Sequence, residues 1–162
     1  MSKNERNTMK LKSIILFTLL VTTSLFAQNK GFGIGIIVGE PTGVSLKTFT
    51  GSSTAFDAAA AWSLTDNGGF HIHADYLFHD YSLINVRSGR LPFYYGFGAR
   101  VKLLDKDKTG DDLRLGARVP VGLSYEFATF PGDLFFEIVP ILDLIPDTDF
   151  SFNAAIGFRY YL

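Results

Sequence analysis

The chain of 162 residues contains no cysteine. A disulfide framework and a thiolate metal site are therefore excluded, and so is the cysteine-borne lipid anchor of bacterial lipoproteins. Charge is thin and balanced, with 15 Lys and Arg against 16 Asp and Glu, a formal net charge of −1. No basic patch follows a phosphate backbone, so nucleic acid is not an expected partner. Tryptophan occurs once, at Trp62, yet 16 Phe and 7 Tyr raise the aromatic content to 15%. Beyond residue 27 no apolar run approaches the roughly 20 residues of a spanning helix. If such a chain crosses a membrane, the hydrogen-bonding demand of its backbone leaves one solution, a closed barrel of strands.

The first 27 residues read as a secretory leader. Lys10 and Lys12 precede an apolar stretch containing Ile14, Ile15, Leu16, Phe17, Leu19, Leu20 and Val21. Leu25-Phe26-Ala27 then offers a cleavage site before Gln28. Met9 is an alternative start. The leader takes Lys3, Arg6, Lys10, Lys12 and Glu5 with it, so the formal charge of residues 28–162 falls to −4. That remainder is long enough for one domain, and no linker-like stretch divides it.

Residues 150–162 define the pattern of the rest. Phe150, Phe152, Ala154, Ile156, Phe158, Tyr160 and Leu162 alternate with Ser151, Asn153, Ala155, Gly157, Arg159 and Tyr161. This is a strand with one apolar face and one polar or small face. Seven further alternating segments are expected at 30–38, 44–50, 55–64, 70–78, 93–103, 113–127 and 134–144. Turn residues bound them: Glu40-Pro41-Thr42-Gly43, Gly51-Ser52-Ser53-Thr54, Thr65-Asp66-Asn67-Gly68-Gly69, the charged stretch 105–112, Thr129-Phe130-Pro131-Gly132-Asp133 and Pro146-Asp147-Thr148-Asp149. The connection 79–92 is either a longer turn or a short extra element. Pro120 and Pro140 donate no ladder bond, and each is expected to mark a bulge or a bend.

Eight strands of about 9–11 residues with short turns account for nearly all of residues 28–162. The expected fold is all-β: an eight-stranded, antiparallel, up-and-down transmembrane β-barrel. A soluble sandwich or a lipocalin-like binder would be apolar inside and polar outside. Here the apolar face is broad and aromatic, and the other face carries glycine, alanine and charge. An even strand count returns both termini to one side. With that side periplasmic, the turns at 40–43, 65–69, 105–112 and 146–149 face outward and are mostly acidic. Tyr160, Tyr161, Tyr94, Tyr95, Tyr125 and Trp62 fall near strand ends, where aromatic girdles are expected.

The inner face gathers an unusual set of charges. Arg100, Arg118 and Arg159 each lie two residues from an inward glycine, at Gly98, Gly116 and Gly157. Lys47 and Arg114 join them, and Asp57, Asp75, Glu126, Glu137 and Asp143 share their phase. An eight-stranded barrel is just wide enough to be filled by its own side chains, and buried charges must be paired. The expectation is an ion-pair network that plugs the lumen, with glycines making room for the long arginines. A narrow selective pore or a proton path is the sharper alternative.

His71, His73 and Asp75 share one face at a spacing of two, a pattern that can bind a metal. If Leu64 pairs with Phe70, Ser63 stands opposite His71, and a serine hydrolase acting on lipid becomes conceivable. Lumen filling is the favoured account of these residues, so no catalytic, cofactor-binding or metal residue is expected, and no cofactor. Gly31, Gly33 and Gly35 lack the spacing and the following helix of a phosphate-binding loop.

The size, strand count and terminal aromatic strand resemble the small OmpA- and OmpX-type outer-membrane barrels. Gly157, Tyr160 and Leu162 are similar to the C-terminal signal read by the barrel assembly machinery, with Leu162 where an aromatic residue usually stands. Three stretches also resemble an uncharacterised family of small outer-membrane barrels known from spirochaetes and other bacteria: Gly39-Glu40-Pro41-Thr42-Gly43-Val44-Ser45-Leu46-Lys47, Tyr94-Tyr95-Gly96-Phe97-Gly98-Ala99-Arg100 and Ile156-Gly157-Phe158-Arg159-Tyr160-Tyr161. The resemblance implies a bacterial outer-membrane location, with outer-membrane lipids and the assembly machinery as partners. It implies no catalytic residues and names no extracellular ligand or host protein.

Overall fold

Alternation of apolar and polar residues produces strands here with almost no interruption. The computed structural model describes residues 31–63, 69–103 and 113–162. The expected leader, 1–27, lies outside the described residues, as do Leu64, the turn at 105–112 and all but Gly69 of the turn at 65–69. The strands are β1 (Phe32–Gly39), β2 (Thr42–Phe49), β3 (Thr54–Ser63), β4 (Gly69–Asp80), β5 (Phe93–Leu103), β6 (Leu113–Arg118), β7 (Val121–Glu126), β8 (Gly132–Ile145) and β9 (Asp149–Tyr161). Among the described residues there is no helix.

Apart from β6 and β7, every strand pairs antiparallel with its sequence neighbour, and β9 returns to pair with β1, so the sheet closes. β6 and β7 occupy one position in the ring: both lie between β5 and β8. The barrel therefore has eight staves. Its stagger follows from register. A walk from Gly35 through Ser45, Ala59, His73, Arg100, Gly116 and Asp143 ends on Asp149. Gly35 itself pairs with Arg159, ten residues from that endpoint. Ten residues of offset around eight staves tilt the strands by roughly 40° and leave a lumen that side chains fill.

The Pro120 expectation is corrected in part. Val119 and Pro120 interrupt the ladder between β6 and β7, because Pro120 cannot donate to β5. Its carbonyl still accepts from Gly96 N at 2.9 Å, and Val119 N still donates to the Pro140 carbonyl at 3.1 Å. Pairing resumes in the same register, so the interruption is a missing bond and not a bulge. Pro140 sits within unbroken β8 opposite Phe152. The register shift falls elsewhere, between Leu115 and Gly116.

The fold is apolar outside. Phe152 is 65% exposed, Phe97 61% and Trp62 58%, whereas Lys47, Arg118 and Arg159 are each 1% exposed. Aromatic pairs line the outer wall toward the end that bears the termini, including Phe56 with Tyr76, Phe78 with Tyr95 and Phe130 with Phe158. Tyr94 and Tyr161 do not belong to that girdle. Both turn inward, because their odd or even position in the strand places them in phase with the lumen charges.

Inward glycines make room, though for different groups than expected. A Cβ on Gly157 would lie 2.2 Å from the Phe135 ring, one on Gly122 2.6 Å from the Tyr94 ring, and one on Gly98 2.0 Å from the Asp75 carboxylate. The glycines admit rings and carboxylates from neighbouring staves, and the arginines lie over those. Gly157→Ala is expected to cost about 1–3 kcal/mol by overpacking, since the Ile36 carbonyl at 2.6 Å blocks escape on the other side. A urea midpoint in detergent micelles equal to that of the parent protein contradicts this packing.

Candidate functional site

The lumen is the only place where this sequence spends charge in quantity among the described strands, and it does so in tiers. The tier nearest the termini centres on Asp133, which is fully buried. Its Oδ2 accepts from Ser124 Oγ at 2.9 Å and Tyr161 OH at 2.9 Å, with Arg159 Nη1 at 3.4 Å and Lys47 Nζ at 3.7 Å. Lys47 Nζ donates to His79 Nε2 at 2.8 Å. Arg159 also reaches Asp57 with Nη2 at 2.8 Å and donates from Nε to Ser45 Oγ at 2.9 Å. Its guanidinium lies 3.8 Å over the Phe135 ring, which itself occupies the space left by Gly157.

The middle tier belongs to Arg118. Nε approaches Asp75 Oδ1 at 2.9 Å, and Nη2 donates to Glu137 Oε1 at 3.4 Å. The Asp75 contact is an ion pair without hydrogen-bond alignment, which leaves both atoms short of a directed partner. Tyr94 OH donates to the other oxygen of Glu137 at 3.0 Å. In the tier beyond, Arg100 grips Asp143 with two hydrogen bonds, from Nε at 3.0 Å and Nη2 at 2.6 Å. Arg114 bridges Asp143 at 3.7 Å and the exposed Asp149 at 3.6 Å. A bidentate arginine–carboxylate pair of this kind combines strength with fixed orientation.

Thus all ten residues of the expected charge network line the lumen or its mouths. Lys47, Asp57, Asp75, Arg100, Arg118, Glu126, Glu137, Asp143 and Arg159 are 9% exposed or less, and Arg114 is half-buried. Each buried guanidinium meets at least one carboxylate, which offsets the desolvation cost of holding it there. The contacts also cross the barrel: Arg159 on β9 meets Asp57 on β3, three staves away.

At the termini-bearing mouth, the 79–92 connection proves to be a strap. β4 runs on to Asp80. The chain then returns to the neighbouring stave β5, where a backbone bridge between Arg90 and Glu126 continues the β5–β7 register. The Arg90 guanidinium pairs with the Glu126 carboxylate and lies 4.9 Å over the Tyr81 ring. Tyr81 OH donates to Glu126 at 2.7 Å. Burial, and then the carboxylate beside it, hold the Tyr81 hydroxyl above the ordinary phenol range, so it stays a donor. Beside the strap lies a cleft of about 180 Å³ between Phe49, Glu126, Phe130 and Tyr161.

The hydrolase geometry does not form as expected. Trp62, not Leu64, pairs with Phe70, so Ser63 stands opposite Gly69 and His71 opposite Ala61. Ser63 Oγ donates to Glu40 and accepts from Lys102 Nζ at 3.0 Å. His71 and His73 touch each other at 3.3 Å, and His73 lies 3.9 Å from Asp75. Among the described residues no group of three His, Cys, Asp or Glu side chains converges on a metal position. In the C-terminal signal, Gly157 faces inward, Tyr160 outward, and Leu162 follows the end of β9 at 76% exposure.

Asp133, Tyr94, Tyr161, Ser124, Ser45, His79 and the Arg90–Tyr81 pair are absent from the expected network. Asp133 was legible: it continues the inward phase of Asp143 and Glu137 one residue before the expected strand start at Leu134. The Arg90–Glu126 bridge continues the β5–β7 register, with Phe93 opposite Leu123 and Arg90 opposite Glu126, but residues 81–89 carry no alternating pattern that would announce it.

Arg118→Leu strands Asp75 and Glu137 in the lumen, and the loss is expected to be about 3–5 kcal/mol. The Arg90 side chain is 54% exposed, so Arg90→Ala is expected to cost less than about 1 kcal/mol. Urea unfolding of both variants in micelles checks the ranking, and equal losses contradict the tiered network.

No family model matches the chain, and no curated protein matches it. Among solved structures, the fold is similar to the N-terminal β-barrel domain of OprF from Pseudomonas aeruginosa. The superposition has a TM-score of 0.61 at 14% identity and covers 83% of this chain and 98% of that domain. At that identity the likeness speaks for the architecture: an eight-staved antiparallel barrel of this class.

Proposed function

We propose that the protein is an integral outer-membrane β-barrel with a side-chain-filled lumen, and that its role is structural or surface-binding without enzymatic activity. One observation carries the reading, the inversion of polarity across the wall. Nine ionisable residues of the network are nearly sealed inside, while phenylalanine, tryptophan and branched aliphatic side chains stand exposed on the outer face of every stave. Water would reverse that arrangement, and a hydrocarbon surround favours it.

A plug is favoured over a pore because the cross-section is occupied. Tyr94, Phe135, Leu77, Arg118 and Arg159 are each 1% exposed and come from five different staves. The lipids of the outer membrane are then the partners of the outer wall. Gly157, Tyr160 and Leu162 serve as the assembly signal, and the secretory leader delivers the chain to the periplasm. With the termini on the periplasmic side, the hairpin ends at 40–41 and 146–148 face outward and form the surface available to any ligand.

The protein refolded in detergent is expected to migrate faster on a gel unboiled than boiled, with a β-only circular dichroism spectrum. In planar bilayers it is expected to give no steady conductance steps. Solubility without detergent would overturn the membrane reading. Regular ion steps that change on Arg100→Ala or Arg118→Ala would replace the plug with a narrow pore.

A further inference from the structure

The two ends of the barrel are not alike. At the termini-bearing end the rim is level: Phe32 pairs with Thr48, Gly33 with Tyr161, and Leu162 N bonds the Phe32 carbonyl. At the opposite end β1 and β2 stop early, with 8 residues each against 14 in β8 and 13 in β9. Pairing between β1 and β9 ends at Gly39 and Ala155, followed by one bond from Glu40 N to the Ala154 carbonyl. β9 continues through residues 149–153, paired with β8 on its other side throughout. About 16 Å of β9 edge thus rises above the short β1–β2 hairpin. The far side of this notch is the end of β3, where Trp62 pairs with Thr42 and Ser63 lies beyond.

Among the described residues the edge is polar and unpaired on this side. The Ala154 carbonyl bonds toward β1, so Phe152 and Phe150, two and four residues on, turn their N–H and C=O groups to the same side. Among the described residues no backbone group meets them there. Asn153 lies level with the notch floor on the lumen face, is 7% exposed, and its amide nitrogen has no hydrogen-bond partner. Lys102 and Ser63 line the lumen side behind the notch. On the outer side Phe150, Phe152, Val38 and Trp62 are 50–65% exposed, so the apolar wall continues at the height of the gap.

We propose that this notch is a lateral binding site for the headgroup of a phosphate-bearing membrane lipid, an inference that rests on the membrane-barrel reading above. An open sheet edge within an apolar surround carries a penalty of several kcal/mol per unsatisfied group, and hydrocarbon cannot relieve it. The bilayer supplies one amphipathic filler of the right form. Phosphate and ester oxygens accept from the Phe150 and Phe152 N–H groups, from the Asn153 amide and from the Lys102 ammonium. The acyl chains lie along Phe150, Phe152 and Val38. The short β1–β2 hairpin then acts as a doorway, and Ser63 and Glu40, bonded across its floor, form the sill.

The test uses the full chain refolded into nanodiscs of phosphatidylethanolamine and phosphatidylglycerol, released stepwise in a native mass spectrometer. One phospholipid is expected to remain on the barrel after the bulk lipid is stripped. Asn153→Ala with Lys102→Ala is expected to lower that retained fraction at least about thirtyfold, the loss of two hydrogen bonds, one of them charged. Val86→Ala, on the strap at the other mouth, is expected to leave it unchanged. Diacylglycerol doped into the discs, which lacks phosphate, is expected not to be retained. Asn153→Ala alone serves if the double variant does not fold. A heat-modifiable barrel that retains no phospholipid, or retains diacylglycerol equally, overturns the headgroup site and leaves the membrane barrel standing. A lipid-free dimer overturns it in favour of edge pairing between two copies. Loss of the heat-modifiable form in wild type overturns both readings.

Discussion

A charge placed inside an eight-staved barrel has no water to turn to, and most other features of this molecule follow from that constraint. The lumen is too narrow for bulk solvent, so each cation must find its anion among side chains. Arg159 and Arg118 each take two carboxylates. Arg100 takes one carboxylate with both of its oxygens. Asp133 and Glu137 come from the neighbouring stave, but Asp57, Asp75 and Asp143 come from staves that are not neighbours, so those three pairs act as struts across the lumen as well as neutralising charge. Space for the struts is made by glycine: where Gly157, Gly122 and Gly98 lack a Cβ, the Phe135 and Tyr94 rings and the Asp75 carboxylate lie flat against the wall. The guanidinium of Arg159 then stacks on Phe135.

The outer wall answers the opposite constraint. It offers no charge over the span of the staves, and its aromatic residues touch in rows along the hydrogen-bonding direction. Register produces those rows: Phe56 stands beside Tyr76, and Tyr76 beside Phe97. A shift of one residue in any stave would exchange the two faces, moving phenylalanine into the lumen and arginine into the apolar surround. The two faces therefore fix the register of each other.

Much of this was legible in the residues, because a period of two is the simplest pattern a chain can carry. The alternation over 113–127 and 150–162 places every inward and outward residue correctly, including Arg118 and Arg159. Three things were not legible. Strand ends depend on where pairing stops, so the start of β8 was placed after Asp133, the hub of one tier, although its inward phase could be read. Proline position predicts a lost bond but not a bulge, and the register around Pro120 is undisturbed while the shift sits at Leu115. The Ser63 partner depended on hairpin register, and a change of two residues exchanged His71 for Gly69.

The position of Arg159 in the chain bears on the order in which the barrel is built. Ser45, to which it donates, lies 114 residues earlier, and Asp57 is on the third stave from it. Neither contact exists until the last strand has come round to meet the first. Before that moment Asp57 faces an unfinished lumen without the cation that Asp133, opposite Arg159 in the β8–β9 ladder, already has. A barrel that has closed in the wrong register, or has not closed, keeps Asp57 uncompensated, and the meeting of β9 with β1 supplies its cation. Arg159 is thus a keystone whose seating marks completion, which makes the cooperativity of the fold a property of its final strand.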